Sequence, residues 1–347
     1  MKVAIITDQH FGARKNSKIF HDYFLKFYET VFFPKLVEEG ITTVVDMGDT
    51  FDSRKGIDFA ALAWAKDNYY DRLKDLGITV HTIVGNHTAY YKNTNEVNAV
   101  DLLLREYNNV KVYSEPTEVM LGELPVLFIP WINEENTERT FKSVKNTRCV
   151  CAMGHLELRG FPAYRGHTMV EGLDRELFKK FKHVFSGHYH TRSTDGKVFY
   201  LGNPYEIYSN DIGDTRGFHI FDTETKELEE VNNPYKMFEV IDYEDTNHQT
   251  FDSRSFEGKI VKLIVRKKTD AKKYEKFVDK LLASNIAELK LVESFTESKL
   301  DMDDFDPETE DTISILTKFI DDTDAAINKP EIKKIISRVY KEACELV

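Results

Sequence analysis

The chain has 347 residues, of which 41% are hydrophobic and 31% charged, and a formal net charge of −12. That length suffices for a large core and at least one further domain, and the composition is that of a soluble globular protein. No apolar run reaches membrane-spanning length, the opening MKVAIITDQHFG meets charge too soon for a signal peptide, and three cysteines are too few for a disulfide framework. A cytoplasmic protein without membrane contact is expected.

In chain order, KVAII (2–6), TTVVDM (42–47), VHTIV (80–84), CVCAM (149–153) and HVFS (183–186) are short apolar runs rich in β-branched residues. They predict buried strands. Cys149 and Cys151 fall in one such run and read as buried free thiols. NSKIFHDYFLKFYETVFFPKLVEE and FAALAWAKDNYYDRLKDLG separate the first three runs and have helical apolar spacing. Strand–helix alternation of this kind predicts an α/β sheet with helices on its faces. From VFYLGNPYEIY through RGFHIFDTET the helical spacing stops, and hairpin-like segments predict a second sheet.

The character changes after about residue 235. KIVKLIVRKK, AKKYEKFVDKLLAS and ELKLVESF predict a small β–α–β module. Charge is distributed unevenly here: residues 254–290 hold eleven Lys and Arg against five Asp and Glu, whereas residues 293–311 hold nine acids and one lysine. A negative total therefore does not exclude nucleic acid. The acidic stretch reads as a linker. Two amphipathic segments close the chain, one carrying Ile313, Leu316, Phe319, Ile320 and Ile327, the other Ile332, Ile335, Ile336, Val339, Ala343 and Leu346. NKPEI between them is a helix-start signal. The expected divisions are residues 1–235, 236–296, 297–311 and 312–347.

The chemistry lies at the strand exits. The first run delivers Asp8 and His10 in TDQHFG, the second Asp49 in MGDTFD, and the third Asn86 and His87 in VGNH. The fourth delivers His155 in MGH, and the fifth His188 and His190 in SGHYH. Asp, Asn and Gly favour strand ends as turn formers alone. The histidines do not, and five of the chain's eleven fall at these exits. In open α/β sheets such ends converge, and a glycine before the ligand lets the backbone approach closely. On an extended exit, alternation would put His188 and His190 on one side of the chain, where both could reach one metal.

Asp8, His10, Asp49, Asn86, His155, His188 and His190 make seven candidate ligands, too many for one ion. Two ions about 4 Å apart, bridged by a carboxylate, would use them all, and Asp49 is the natural bridge. A mixed nitrogen and oxygen set suits manganese, iron or zinc.

The ordered set DxH, GD, GNH, GH and GHxH resembles the signature of calcineurin-like metallophosphoesterases, and within them the SbcD-type nuclease subunit of the double-strand-break repair complex. The resemblance covers about residues 1–240. Its compact size is similar to that of versions carried by large bacteriophages. It implies a two-sheet β-sandwich flanked by helices, with a small α+β capping domain and C-terminal helices. It also implies one ion on Asp8, His10, Asp49 and His190 and the other on Asp49, Asn86, His155 and His188. Manganese is the family's usual metal, with magnesium possible. His87 is implied to face the scissile phosphate as a transition-state stabiliser or general acid.

By the same resemblance, residues 1–235 are a metallophosphoesterase nuclease domain and 236–296 a DNA-binding capping domain. An acidic linker spans 297–311, and 312–347 docks on an SMC-like, SbcC-type ABC ATPase. The implied protein is a homodimeric exo- or endonuclease acting on double-stranded DNA ends in repair and recombination, in the host cytoplasm if phage-encoded. Arg266, Lys267, Lys268, Lys272 and Lys273 cluster at one end of the module and are the expected phosphate contacts.

Departures from the family pattern bear on this reading. Thr88 stands where an acid commonly follows GNH, Asp52 where some relatives have histidine, and Asn203 where serine is usual. A carboxylate at 88 would favour protonated His87, so Thr88 favours an alternative: a DNA-end-binding scaffold with little catalysis. The same-fold alternative, a phosphomonoesterase, fits poorly, because GDTFDSRKG lacks the arginine-glycine continuation of protein phosphatases.

Overall fold

A computed structural model of the chain describes residues 1–292, 317, 320, 328–333, 335 and 336. The first strands are β1 (Lys2–Ile6), β2 (Thr43–Asp46), β3 (Thr79–Ile83), β4 (Val110–Tyr113), β5 (Thr117–Leu121) and β6 (Leu124–Ile129). Then come β7 (Cys151–Gly154), β8 (Pro162–Tyr164), β9 (His167–Thr168), β10 (His183–Ser186), β11 (Ser193–Thr194) and β12 (Val198–Tyr200). The last are β13 (Gly217–Asp222), β14 (Leu228–Asn232), β15 (Phe238–Glu244), β16 (Ile260–Lys267) and β17 (Glu288–Val292). The described chain forms two compact units, residues 1–207 with 213–235, and residues 208–212 with the chain from 236 on.

The first unit is built on two six-stranded mixed sheets, ordered β14-β13-β1-β2-β3-β4 and β11-β12-β10-β7-β6-β5. Val3, Ile5, Val45, Met47 and Ile83 of one sheet form a single buried cluster with Val126, Phe128, Met153 and Phe185 of the other. This is the helix-flanked two-sheet α/β architecture that the strand pattern and the resemblance imply. Two expectations change. The ligand-bearing runs are not successive strands of one sheet: β4, β5 and β6 intervene, and β7 and β10 belong to the second sheet. Nor do the segments after residue 197 build a sheet of their own. β12 lies parallel to β10, while β13 returns antiparallel to β1.

Both predicted helical stretches form, and each contains a π-helical turn. Lys18–Phe27 continues through Tyr28–Phe32 into Phe33–Glu38, and Phe59–Ala65 through Lys66–Tyr70 into Asp71–Asp75. The first buries an aromatic face of Phe20, Tyr23, Phe24, Phe27, Tyr28 and Phe32, with Phe24 stacked on Tyr205 at 3.7 Å. Asp58 starts the second by accepting from the Ala60 N–H. Cys149 and Cys151 are buried free thiols.

The second unit holds a three-stranded parallel sheet, β15-β16-β17, with the helix Ala271–Leu282 capped by Asp270. Its core gathers Tyr243, Val261, Leu263, Phe277 and Leu281. The predicted β–α–β segment is there, and β15 adds a strand. Residues 329–333 are helical, as NKPEI predicts. The acidic linker 297–311, and most of 312–347 with Ile313, Leu316, Phe319, Ile327, Val339, Ala343 and Leu346, lie outside the described residues. Among the described residues no helix is long and apolar enough to cross a membrane.

Candidate metal centre

All seven predicted ligands and His87 are buried at the carboxyl ends of β1, β2, β3, β7 and β10. Four of the eight have sharply bent backbones. Asp8, His10, Asp49 and His188 have φ of 52°, 48°, 50° and 81°, conformations that cost a non-glycine residue about 1–3 kcal/mol each. Backbone hydrogen bonds set these loops in register, from Asp8 N–H to Gly48 O and from His10 N–H to Asp49 O, both 2.9 Å. Two glycines are required by proximity. A Cβ on Gly85 would strike Asp49 Oδ1, and one on Gly187 would strike Thr7 Oγ1 and lie 2.9 Å from Asp8 Oδ2.

Ligand atoms gather in three groups: Asp8, His10 and His190; His10, Asp49 and His87; and Asp49, His155 and His188. His188 and His190 therefore do not share a side, contrary to the simple alternation expectation. The left-handed turn at His188 breaks the extended geometry and sends the two rings to different groups. Asn86 joins the third group, its Oδ1 2.9 Å from His155 Nε2 and 3.0 Å from His188 Nδ1. His87 sits in a group that could itself ligate, so donor geometry alone does not separate it from the seven.

The hydrogen bonds fix which atoms face inward. His155 Nδ1 lies 2.9 Å from the Met47 carbonyl, which can only accept, so Nδ1 carries the proton. In the neutral ring Nε2 is then a lone pair, directed at Asp49 Oδ2 (3.0 Å) and Asn86 Oδ1 (2.9 Å). Three electron-pair donors converge there, and such an arrangement repels itself unless a proton or a metal cation sits among them. Asp49 Oδ2 is buried without a hydrogen bond of acceptable geometry. His10 Nδ1 is held by Asp52 Oδ1 at 3.1 Å, leaving its Nε2 3.1 Å from His190 Nε2. An imidazole whose far nitrogen donates to a carbonyl or carboxylate is the arrangement of metal-ligating histidines. The donor set fits divalent cations.

The same field attracts a proton. Burial opposes charge at His155, but the Asp49 carboxylate outweighs it and carries the imidazole up to about 9. Burial also opposes charge at Asp49, yet His155, His87 and His10 together hold its carboxyl far below the usual range. Asp8 is pushed up by burial. His87 Nδ1 lies 2.6 Å from the Asp52 carbonyl and must donate to it, which leaves Nε2 as the atom able to exchange a proton. Thr88 does not replace the missing acid at His87. Its hydroxyl accepts from Gly85 N–H (3.1 Å) and donates to Gly85 O (3.0 Å).

Residues that the motif pattern does not reveal support the site. Gln9 and Asp46 are wholly buried beneath it, and burial pushes the Asp46 carboxyl up to about 7. Arg216, also buried, donates to the His190 carbonyl and to Asn203 Oδ1. The only hint in the sequence is a charge entering an apolar run, RGFHIF.

In the second unit, Arg266, Lys267, Lys268, Lys272 and Lys273 are all exposed where β16 meets the following helix. Two are paired with β15 and its exit, Arg266 to Asp242 at 2.8 Å and Lys267 to Asp245 at 3.8 Å. Lys268 lies over the Tyr274 ring.

A model of the calcineurin-like phosphoesterase family matches residues 1–192. The chain belongs to that family. Exonuclease subunit 1 of Enterobacteria phage T4 is 32% identical over 354 residues, covering 99% of this chain and all of that protein. Among solved structures, a dimetal phosphatase from Danio rerio matches at 13% identity with a TM-score of 0.40, over 63% of this chain and 91% of that one. The nuclease MPE of Pseudomonas putida matches at 14% identity with a TM-score of 0.31, over 67% and 87%. The phosphoesterase family implies a divalent metal, and the buried His and Asp groups provide for one.

Proposed function

We propose that this phosphoesterase is a dinuclear DNA nuclease that processes double-stranded ends together with an SMC-like, SbcC-type ATPase. The observation that carries the metal reading is the convergence of Asp49 Oδ2 and Asn86 Oδ1 on His155 Nε2, at 3.0 and 2.9 Å. Asp8, His10, Asp49 and His190 would hold one ion, and Asp49, Asn86, His155 and His188 the other. Two divalent cations held there, manganese by the family pattern with magnesium as the substitute, would neutralise a phosphodiester and supply a nucleophile at neutral pH.

This chain's residues do the rest. Asp49 would be the ligand common to both ions, and its Oδ1 also accepts from the His87 N–H at 2.8 Å. His10 and His155 are kept as Nε2 donors by Asp52 and Met47. His87, with Nδ1 committed to the Asp52 carbonyl, stabilises the transition state or gives a proton from Nε2 to the leaving oxygen. Asp8 and His10 both carry left-handed backbones at the exit of β1.

DNA enters the reading through the T4 relative, which is named an exonuclease subunit, a word that also calls for a partner chain. Residues 236–296 would act as the DNA-binding cap, with Arg266, Lys267, Lys268, Lys272 and Lys273 on phosphates. Residues 297–311 would link, and 312–347 would dock on the ATPase. The protein would work as a homodimer in the cytoplasm, that of the host if phage-borne, in repair and recombination. The test is incubation of purified protein, alone and with the ATPase, on linear and hairpin DNA with manganese or magnesium. Metal-dependent cleavage is expected. DNA binding without cleavage in every condition would favour the scaffold reading that Thr88 suggests.

A further inference from the structure

Gln9 stands between Asp8 and His10, with its side chain directed into the protein. Its Nε2 donates to Asp46 Oδ2 at 2.9 Å, and its Oε1 accepts from Tyr28 OH at 2.5 Å. Tyr205 OH donates to the Gln9 carbonyl at 2.6 Å. Asp46 reaches the other way. Its Oδ2 also accepts from Thr50 Oγ1 at 2.6 Å, and its Oδ1 from Gly48 N–H at 3.2 Å, so it grips the residues on both sides of Asp49. Gln9, Asp46, Thr50, Tyr28 and Tyr205 are all fully buried. One carboxylate thus ties the loop carrying Asp8 and His10 to the loop carrying Asp49, and all three of those residues have left-handed backbones.

We propose that Gln9 and Asp46 are positioning residues: a buried amide–carboxylate latch that holds both ligand-bearing loops in a metal-ready shape. The inference rests on the dinuclear reading and adds to it what fixes the ligands. Cross-strand backbone bonds set the register of the two loops, but they do not by themselves keep three non-glycine residues in a disfavoured conformation. The latch does, because each of its members would lose a hydrogen bond in a buried setting if either loop relaxed. Burial keeps the Tyr28 and Tyr205 phenols well above their ordinary values, so both remain neutral donors.

The test is manganese titration of the full chain, with free ion followed by electron paramagnetic resonance, for the parent and for Gln9→Leu. The apolar side chain of similar size deletes both side-chain bonds. Manganese affinity is expected to fall about 10- to 100-fold, the usual effect of removing a partner behind the ligands, while turnover on a simple phosphodiester recovers at saturating metal. A purely structural role would lower the unfolding temperature and leave the affinity of the folded protein unchanged. Should Gln9→Leu fail to fold, Tyr205→Phe removes only the hydroxyl on the Gln9 carbonyl, and a loss of about tenfold is expected. Unchanged affinity in either folded variant, beside a parent that binds, overturns the latch alone. A parent that binds no manganese overturns the dinuclear reading and the latch with it.

Discussion

His87 and His155 each present Nδ1 to a backbone carbonyl, and that shared geometry leads to different expectations for the two rings. His155 Nε2 faces oxygen ligands, whereas His87 is the ring whose loss should stop chemistry without emptying the site. His87→Asn is expected to keep metal and DNA binding and to lose about 10²- to 10⁴-fold in cleavage rate, measured in single-turnover assays; near-parental rates would make His87 structural. His219 is a buried imidazole outside the ligand set. His219 on β13 is held down to about 3 by burial, with Arg192 adding to the effect. Its folded value is below its unfolded one, so the neutral ring contributes stability that is present above about pH 6.5 and lost as pH falls toward 3. Between pH 7.5 and 5 the loss is about 2 kcal/mol, from about 1.4 kcal/mol per unit below 6.5. His219→Leu should flatten that acid limb in urea titrations at the two pH values. An unchanged pH dependence would show that the ring is not the acid-labile group.

Strand exits were legible because a buried parallel strand needs a continuous apolar run and a glycine at its exit lets the ligand approach closely. KVAII, TTVVDM, VHTIV, CVCAM and HVFS all meet the first condition, and four of the five exits place a glycine directly before the ligand. β4 and β5 do not: VKVY and TEVML are edge strands with half-buried alternation, and a local pattern of that kind is weak. Which strands belong to which sheet was hidden, since the pairing of β13 with β1 joins residues more than 200 apart. At the site, residue types were legible, but the left-handed turn that parts His188 from His190 was not, because histidine seldom adopts it. The basic cluster was legible as charge and not as pairing. Arg266 and Lys267 already face Asp242 and Asp245. If the cap binds DNA, Lys272→Ala with Lys273→Ala should weaken binding and reduce the salt slope by about one for each phosphate no longer neutralised. Arg266→Ala should do less, and filter binding across a salt series measures both. Equal effects of the lysine pair and of Arg266 would remove the cluster's claim to a phosphate-binding role.

At the scale of the whole molecule, the sequence places an acidic stretch, residues 293–311, directly after a basic one, residues 254–290. The proposed docking role of the segment that follows is testable by deletion. Deleting residues 312–347 is expected to leave metal binding intact and abolish co-purification with the ATPase. Leu316→Glu and Ile336→Glu should each weaken that association by placing a charge on an apolar stripe. Undiminished co-purification of both folded variants would assign docking elsewhere. The central claim, that seven side chains from five strand exits hold two ions, is tested most directly by metal analysis after manganese reconstitution and desalting of the parent and Asp49→Ala. The account predicts two ions per chain in the parent and neither in the variant, because Asp49 is the ligand common to both. A folded parent that never exceeds one ion per chain, or an Asp49→Ala protein that retains two, would contradict it.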